Sequence, residues 1–127
     1  MCSSDLYVAM IDEKYAGVGI ISLHEEEMYK KASWLNKYDD DEIAVLHLFA
    51  IHPSFRNKGV ATKFLRSIIE ESKKTSKAIH LDVVKGNDAA FHLYEKVGFH
   101  GIGEYEVYYE DTGNIIVNLM ERDLMKK

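Results

Sequence analysis

The chain has little of what a disulfide-stabilised or membrane-spanning protein needs. It contains one cysteine and one proline among its 127 residues. A single cysteine excludes an internal disulfide framework and agrees with a reducing compartment, so we expect a cytoplasmic protein. No window approaches the roughly 18 consecutive apolar residues of a membrane helix, and the N-terminus lacks the basic-then-apolar order of a signal peptide. We therefore expect no membrane partner.

Basic residues are outnumbered by acidic ones. The 16 lysines and arginines stand against 21 aspartates and glutamates, a net charge of −5, which argues against nucleic acid as a partner. The histidines show no H-x-x-x-H spacing and cysteines are not paired, so we predict no metal site. The length fits one domain, and we take residues 1–127 as a single unit.

The apolar pattern predicts mixed α/β structure. The predicted elements are strands at Leu6–Ile11 and Tyr15–Leu23, a charged segment over 24–42 that extends the strand end and then forms a loop around Tyr38–Glu42, a strand at Ile43–Ile51, a helix at Gly59–Lys74, a strand at Ala78–Val84, a short helix capped by Asn87 and ended by Gly98, and strands at Gly101–Tyr109 and Ile115–Glu121. The nearly continuous apolar run Ile43–Ile51 is typical of a central strand buried on both faces. The order strand, helix, strand predicts that this strand lies parallel to Ala78–Val84.

The stretch from His47 to Ala61 carries the strongest functional signal. Its strand runs through a turn at Pro53 into the loop Arg56-Asn57-Lys58-Gly59, and then into a helix. The first N–H groups of a helix, here from Asn57 to Thr62, lack partners within it, and the helix dipole attracts anions. Gly59 admits a phosphate without a Cβ in the way, and the two cations can pair with its oxygens.

This loop predicts a site for a phosphate-bearing ligand. The plainer interpretation is a glycine-containing turn with solvated cations. A P-loop nucleotide site is excluded, because the loop lacks the G-K-[ST] needed for magnesium–phosphate chemistry.

Two blocks together resemble a known family. Arg56-Asn57-Lys58-Gly59-Val60-Ala61 resembles the Q/R-x-x-G-x-G/A acetyl-CoA signature of the Gcn5-related N-acetyltransferase (GNAT) superfamily. Asn87–Phe99 is similar to that family's N-x-x-A-x-x-L-Y-E-K-x-G-F helix. The resemblance runs from about Leu6 to Leu124. It implies the acyl-CoA N-acyltransferase fold, a mostly antiparallel twisted sheet with a central parallel strand pair and flanking helices.

The resemblance has one departure, at the front of the chain. Members of the superfamily usually begin with a strand and two helices before the first hairpin, whereas this chain has five residues there. We therefore expect part of the acceptor-binding wall to be missing. The chain would then be a truncated piece, a shortened gene product, or one part of an oligomer, such as a homodimer, that completes the site.

The resemblance also implies a reaction and its donor site. Acetyl-CoA is the implied cosubstrate and an amine the acceptor, joined by direct attack in a ternary complex. Main-chain groups of Phe49 and Ile51 would hold the pantetheine arm where the central strand separates from its parallel neighbour. The Phe49 N–H would also donate to the thioester oxygen. Asn87 would contact the pantetheine in addition to capping its helix.

Tyr94 and His47 are the catalytic candidates. Tyr94 holds the L-Y-E-K position and would protonate the leaving thiolate as general acid, although packing in the core is its alternative role. His47 is the candidate base, because histidine suits proton transfer near neutral pH and the arylalkylamine acetyltransferases of the same superfamily carry a histidine at the matching place. Simple packing of that histidine is the alternative, and Glu42, Glu104 or a chain of waters are other routes for the proton.

Other features stay open. We expect His52 to shape the turn beside Pro53, and Tyr105, Tyr108 and Tyr109 either to line an acceptor pocket or to pack on the sheet. A competing function is an acetyl-CoA-binding regulatory or inactive module whose acceptor site is incomplete.

Overall fold

A six-stranded sheet organises the chain. The computed structural model describes residues 4–22, 32, 34, 36, 38–56 and 59–125. Its elements are β1 (Ser4–Ile11), β2 (Lys14–Ser22), β3 (Ile43–Ile51), α1 (Val60–Ser72), β4 (Ala78–Val84), α2 (Asp88–Lys96), β5 (His100–Tyr109) and β6 (Gly113–Asp123), with short 3-10 turns at Asp40–Glu42 and Pro53–Phe55. The strand order is β1-β2-β3-β4-β6-β5. The β3–β4 pair is parallel and the other pairs are antiparallel, which confirms the predicted fold class.

The predicted helix ends are confirmed by their hydrogen bonds. The Asn87 side-chain oxygen accepts the N–H of Ala90 at 3.3 Å and caps α2. At the other end Gly98 has a φ of 102°, and the Phe99 N–H reaches the carbonyl of Tyr94 at 3.0 Å. This closes the helix with a glycine in the left-handed region. Leu23 and most of 24–37 lie outside the described residues. Across the part of the chain that is described, neither helix has the length and apolar character to cross a membrane.

Two apolar clusters cover the two faces of the sheet. Ala44 and Leu46 of β3 belong to the cluster beneath the helices, and the alternate residues Ile43 and Val45 belong to the other. Neighbouring strand residues point to opposite faces, so the two clusters lie on opposite sides. We call them the helix face and the open face. The helix-face cluster includes Phe64, Leu65, Ile68 and Ile69 of α1, and the open-face cluster includes Val107, Val117 and Leu119.

The close approach of α1 to the sheet depends on a glycine in β2. A Cβ added at Gly19 would lie 2.8 Å from Cδ1 of Ile68, which is 1% exposed. A larger residue at this position would have to displace the helix, since the Ile68 side chain is enclosed.

A buried histidine–glutamate hydrogen bond anchors part of the charged segment 24–42 to the open face. His80 of β4 and Glu121 of β6 are 0% and 1% exposed, and His80 Nε2 lies 2.8 Å from Glu121 Oε2. The Trp34 ring stacks on His80 with centroids 3.5 Å apart, and Asn36 donates two hydrogen bonds of 3.2 Å to Glu121 Oε1. Buried polar groups need hydrogen-bond partners, and here the contacts of His80 and Glu121 hold Trp34 and Asn36 against the sheet.

The prediction that the strand Ile43–Ile51 is buried on both faces is wrong for its second half. Ile43, Ala44, Val45 and Leu46 are 0–5% exposed, but His47 and Ala50 are exposed and Leu48 is 44% exposed. The register with β4 spans only Ile43 to Val45. Beyond that point the two strands separate, and the second half of β3 loses the neighbour that would have buried it.

Candidate active site

His47 is the extra residue of a β-bulge in β3. Ile21 of β2 pairs with Leu46 and Ile20 pairs with Leu48, which leaves His47 opposite no residue of β2. A bulge moves the alternation of faces by one residue. Leu46 packs in the helix-face cluster, and so do Phe49 and Ile51, where an unbroken strand would place Leu48 there instead. The bulge therefore turns Phe49 and Ile51 towards the helices.

The hydrogen bonds of β3 show where its main-chain donors point. The N–H of His52 donates to the carbonyl of Ala16 in β2 at 2.7 Å. Because N–H direction alternates along a strand, Ala50 also directs its N–H towards β2. Phe49 and Ile51 direct theirs away from β2, towards β4. Since the β3–β4 register ends at Val45, these two N–H groups face the gap between the strands.

The turn between β3 and α1 is locally stabilised. Nδ1 of His52 accepts the N–H of Ser54 at 3.1 Å and caps the 3-10 turn Pro53–Phe55. The prediction that His52 shapes this turn is confirmed. Arg56 follows it, with an exposed side chain.

The N-terminus of α1 begins at Gly59, with φ 75° and ψ 3°. An added Cβ would meet nothing within 4 Å, so the space in front of the helix is open. The first helical bond runs from the Lys63 N–H to the Gly59 carbonyl at 3.2 Å. The N–H groups of Val60, Ala61 and Thr62 precede it and have no partner in the helical pattern. Asn57 and Lys58, the other predicted members of this cradle, lie outside the described residues.

One groove brings most of the predicted site residues together. It has a volume of about 790 Å³ and lies between the end of β3, the start of α1 and one side of α2. This volume falls in the range of small-molecule sites. The predicted residues that line it are Phe49, Ile51, Arg56, Gly59, Ala61, Thr62, Asn87 and Tyr94. Val60 instead lines a second groove of about 770 Å³ between α1 and β1.

Tyr94 lies in the aromatic wall of this groove. Its ring centroid is 5.6 Å from that of Phe99 and 6.3 Å from that of Phe49, both edge-on. Burial, and secondarily the negative charge of Asp82, raise the pKa of Tyr94 to about 12. The phenol therefore keeps its proton at neutral pH, which is the state a proton donor needs.

Asp82 is a candidate that sequence reasoning missed. It is half-buried in β4 and pairs with Leu119, an open-face residue, so its carboxylate lies on the face away from the helices. The sequence contained a signal for it, because a carboxylate interrupts the apolar run of Ala78–Val84. Burying a charged group costs free energy unless it has partners, so a carboxylate in a buried strand is a candidate functional residue. Its negative charge contributes to the raised pKa of Tyr94, and it follows the last residue of β4 that pairs with β3 by two positions.

His47 lies at the same gap but on the open face. Its Nε2 shares a hydrogen bond with the hydroxyl of Ser22, and Ser22 is 5% exposed and pairs with the open-face residue Val45. His47 and Tyr94 thus approach the gap from opposite sides of the sheet, and His47 does not line the groove of Tyr94.

The other contenders lie apart from the groove. Glu42, at the start of β3, forms an ion pair with Lys77, whose hydrogen bond lowers the pKa of the Glu42 carboxyl. Glu104 pairs with Lys85 at 3.3 Å on the surface. Tyr105 packs against the open-face cluster and Tyr108 is 69% exposed, while the side chain of Tyr109 lies outside the described residues. The described residues contain no cluster of three metal-ligating side chains.

Comparison with known proteins assigns the family. The model of the acetyltransferase (GNAT) family matches residues 2–99, and the chain belongs to this family. The N-alpha-acetyltransferase RimI of Mycobacterium tuberculosis is 29% identical over 68 residues, 54% of this chain and 42% of that protein. The spore coat polysaccharide biosynthesis protein SpsD of Bacillus subtilis is 34% identical over 98 residues, 74% of this chain and 32% of that protein. The chain thus matches less than half the length of these curated relatives.

Solved structures share the fold. The ribosomal-protein-S18-alanine N-acetyltransferase of Escherichia coli superposes with a TM-score of 0.71 at 23% identity, over 95% of this chain and 69% of that chain. The protein yncA from Salmonella typhimurium, solved with its cofactor acetyl-CoA, gives a TM-score of 0.73 at 15% identity, over 96% of this chain and 65% of that chain.

Proposed function

We propose that this chain is an N-acetyltransferase that moves the acetyl group of acetyl-CoA to a primary amine of a small molecule or peptide, by direct attack in a ternary complex. The observation that carries the proposal is the single groove in which a helix N-terminus, two outward strand N–H groups and a protonated tyrosine meet. A ligand with phosphates at one end and a reactive thioester at the other needs these three features. Membership of the GNAT family supports the same activity.

The proposed donor site has two parts. Arg56, Gly59 and the N–H groups of Val60, Ala61 and Thr62 hold the pyrophosphate, together with Asn57 and Lys58 of the same loop. Phe49 and Ile51 offer their N–H groups to the pantetheine arm, in the manner of an added strand, and Asn87 lies beside it in the groove. The Phe49 N–H also stabilises the negative charge that develops on the thioester oxygen.

The proposed chemistry moves two protons and exchanges one bond. The amine nitrogen forms a C–N bond to the acetyl carbon while the C–S bond breaks, and Tyr94 donates its hydroxyl proton to the departing sulfur. A base on the open face takes a proton from the amine. His47 remains the proposed base, and Asp82 is a second candidate whose charge also suits a cationic amine.

A matched pair of glycine variants tests coenzyme binding. Gly59→Glu places a carboxylate in the cradle and should abolish coenzyme A binding in calorimetry, because like charges repel at the helix N-terminus. Gly113→Glu is the control, since Gly113 also has a positive φ, of 77°, and open space around it, but lies in the β5–β6 turn. The control should bind as the wild type does. Unchanged affinity in Gly59→Glu would refute the donor site.

A thiol-release screen tests catalysis. Amines, polyamines, aminoglycosides and peptide N-termini are offered with acetyl-CoA, and Tyr94→Phe should lower kcat about 10²–10⁴-fold with little change in coenzyme affinity. Coenzyme binding without turnover on the whole panel would instead favour a regulatory or inactive acetyl-CoA-binding module.

The proposal carries further expectations about context. We expect the enzyme to act in the cytoplasm, to need no metal and to form a homodimer. Sedimentation measures the oligomeric state. Turnover that survives a strong chelator would agree with metal-free chemistry, and loss of turnover would contradict it.

A further inference from the structure

An exposed apolar patch lies on the open face of β1, β2 and the second half of β3. Tyr7 and Ala9 pack against the helix-face cluster, so the alternate residues of β1 point to the open face. The strand registers extend these residues across the sheet in rows. The rows are Leu6–Ile20–Leu48, Val8–Val18–Ala50 and Met10–Tyr15. We call these residues the apolar patch.

The patch is large for the surface of a monomer. Leu6 is 64% exposed, Met10 54% and Tyr15 71%, while Val8 and Leu48 are each 44% exposed. Their exposed surface adds up to an area on the order of 500 Å², near the upper end of the about 300–600 Å² found for the largest apolar patch of a typical monomer. A contiguous apolar surface of this size is typical of an interaction site.

The shape of the patch favours a macromolecule over a small ligand. Small-molecule sites are concave, whereas these side chains stand on an open sheet surface. Leu6, Ile20 and Leu48 line neither of the two large grooves. Sheets pack face to face at a distance of about 10 Å through such apolar surfaces. The patch therefore fits the face of another sheet.

The chemistry of the patch favours a second copy of this chain. The net charge of −5 makes two copies repel each other at a distance, and the patch residues are all uncharged, so contact through them adds no repulsion. A two-fold axis places the same surface on both partners, apolar row against apolar row. A stable interface buries about 800 Å² on each partner. The patch is large enough for the apolar core of such an interface, and the exposed turn Asp12–Lys14 lies at its polar rim.

The patch adjoins the open-face side of the proposed active site. Leu48 directly follows His47, which is exposed and shares a hydrogen bond with Ser22 at the end of β2. A body that packs on the row Leu6–Ile20–Leu48 therefore lies beside His47. It also lies beside the gap between β3 and β4, where the amine approaches in the proposed function.

We propose that the apolar patch is a dimer interface, on which a second copy of the chain packs its own patch face to face. The partner copy then forms one wall of the acceptor side of the gap. The role in the acceptor wall rests on the proposed function, whereas the interface does not depend on it.

Sedimentation velocity of the full chain over a range of concentrations tests the interface. The wild type should form dimers, and at concentrations below the dissociation constant the patch contacts water. Leu6→Lys in β1 and Leu48→Lys in β3 should each raise the dissociation constant about 100-fold or more, because the interface would bury an ammonium group without a partner. Both substitutions make the chain less negative, so added repulsion between copies cannot explain a dissociation.

Ile116→Lys is the matched control. Ile116 is 42% exposed, much like Leu48, but it lies in β6, which β4 separates from β3. This variant should dimerise as the wild type does, and circular dichroism checks that each variant is folded. A dimer lost only in Leu6→Lys would indicate pairing along the β1 edge and refute face-to-face packing. A wild type that stays monomeric, or a dimer that survives both patch substitutions, would refute the interface.

Turnover measurements test the acceptor wall. Leu6 is two strands away from β3, about 10 Å, so its substitution leaves the residues of the site in place. Turnover per chain should rise with protein concentration as dimers form. At a concentration where the wild type is dimeric, Leu6→Lys should lower kcat/KM for the amine about tenfold or more, because the amine loses a positioning surface. Its coenzyme A affinity in calorimetry should stay at the wild-type value, since the donor groove lies on the helix face.

The outcomes separate this inference from the proposed function. Turnover that is independent of concentration and unchanged in Leu6→Lys would refute the acceptor wall. Absence of coenzyme binding in the wild type would overturn the proposed function and the acceptor wall with it, while the sedimentation result still decides whether the patch is an interface.

Discussion

The two halves of β3 have similar apolar sequences but differ in burial. Ile43–Leu46 is 0–5% exposed, with β4 pairing at Ile43 to Val45 and β2 pairing at Val45 and Leu46. Leu48 in the second half is 44% exposed. The difference arises from neighbours rather than composition. The first half is paired to β4 through Val45 and has an apolar cluster on each face. The second half keeps β2 but has separated from β4.

The comparison shows how one strand serves both stability and binding. A strand with partners on both sides has no main-chain donor left for a ligand. The second half of β3 is not paired with β4. The N–H groups of Phe49 and Ile51, which point to that side, are therefore available to a ligand. The bulge at His47 turns the side chains of Phe49 and Ile51 towards the helices, where they line the groove.

The test with the largest expected effect substitutes one leucine from each half of β3. Leu46→Ala should lower the free energy of unfolding by about 2–5 kcal/mol, because Leu46 is 5% exposed and its loss leaves a cavity. Leu48→Ala should cost less than about 1 kcal/mol, since this side chain already contacts water. Urea unfolding measures both. Equal losses would show that the two halves do not differ in the way described.

A second test concerns the helix face of the second half of β3, where the Tyr94 ring packs on Phe49. The pKa of Tyr94 is raised to about 12, so the folded state holds the proton that the unfolded state loses near pH 10. Stability should therefore be insensitive to this group below pH 10 and fall as pH rises from 10 to 12, by up to about 3 kcal/mol.

Variants identify the source of this alkaline loss. Tyr94→Phe should remove that part of the pH dependence, as measured by unfolding at several pH values. Asp82→Asn should lower the pKa of Tyr94 only partly, because burial is the larger cause. A pH dependence identical in wild type and Tyr94→Phe would show that the phenol is not enclosed by Phe49 and Phe99.

The smallest expected effect on stability lies at the bulge itself. His47→Gln and Ser22→Ala should each change the free energy of unfolding by about 1 kcal/mol, the value of one hydrogen bond. If His47 is the base, His47→Gln should nevertheless lower kcat about 10²-fold or more. Ser22→Ala should have a smaller effect, because the imidazole remains but loses its orienting partner. Unaltered pH–rate profiles in both variants would exclude His47 from the proton path.

Local features of the fold were predictable from nearby residues. The strand Ala78–Val84 has the predicted bounds, Asn87 caps α2, Gly98 ends it and His52 caps its own turn. Each of these depends on contacts within a few positions along the chain. The residues at the start of α1 and those around Tyr94 also lie in two short stretches of the sequence. The main residues of the groove could therefore be predicted from those stretches.

Features that depend on strand register were not predictable in the same way. The family resemblance predicted that β3 separates from β4, but the position at which the pairing ends, Val45, depends on residues more than 30 positions apart. The electrostatic effect of Asp82 on Tyr94 likewise joins separate elements of the folded chain. The hydrophobic pattern alone predicts that β3 lies in the core. It does not show over how many residues β4 stays paired with β3.

The sequence by itself determined the order of the elements, their caps and the anion-attracting start of α1, because those follow from propensities and hydrogen bonds between near neighbours. The tertiary structure decided which half of β3 is buried, which face Phe49 and Tyr94 share, and that His47 approaches from the other side. A one-residue bulge and a short parallel register set these outcomes, and both exist only once distant strands have paired.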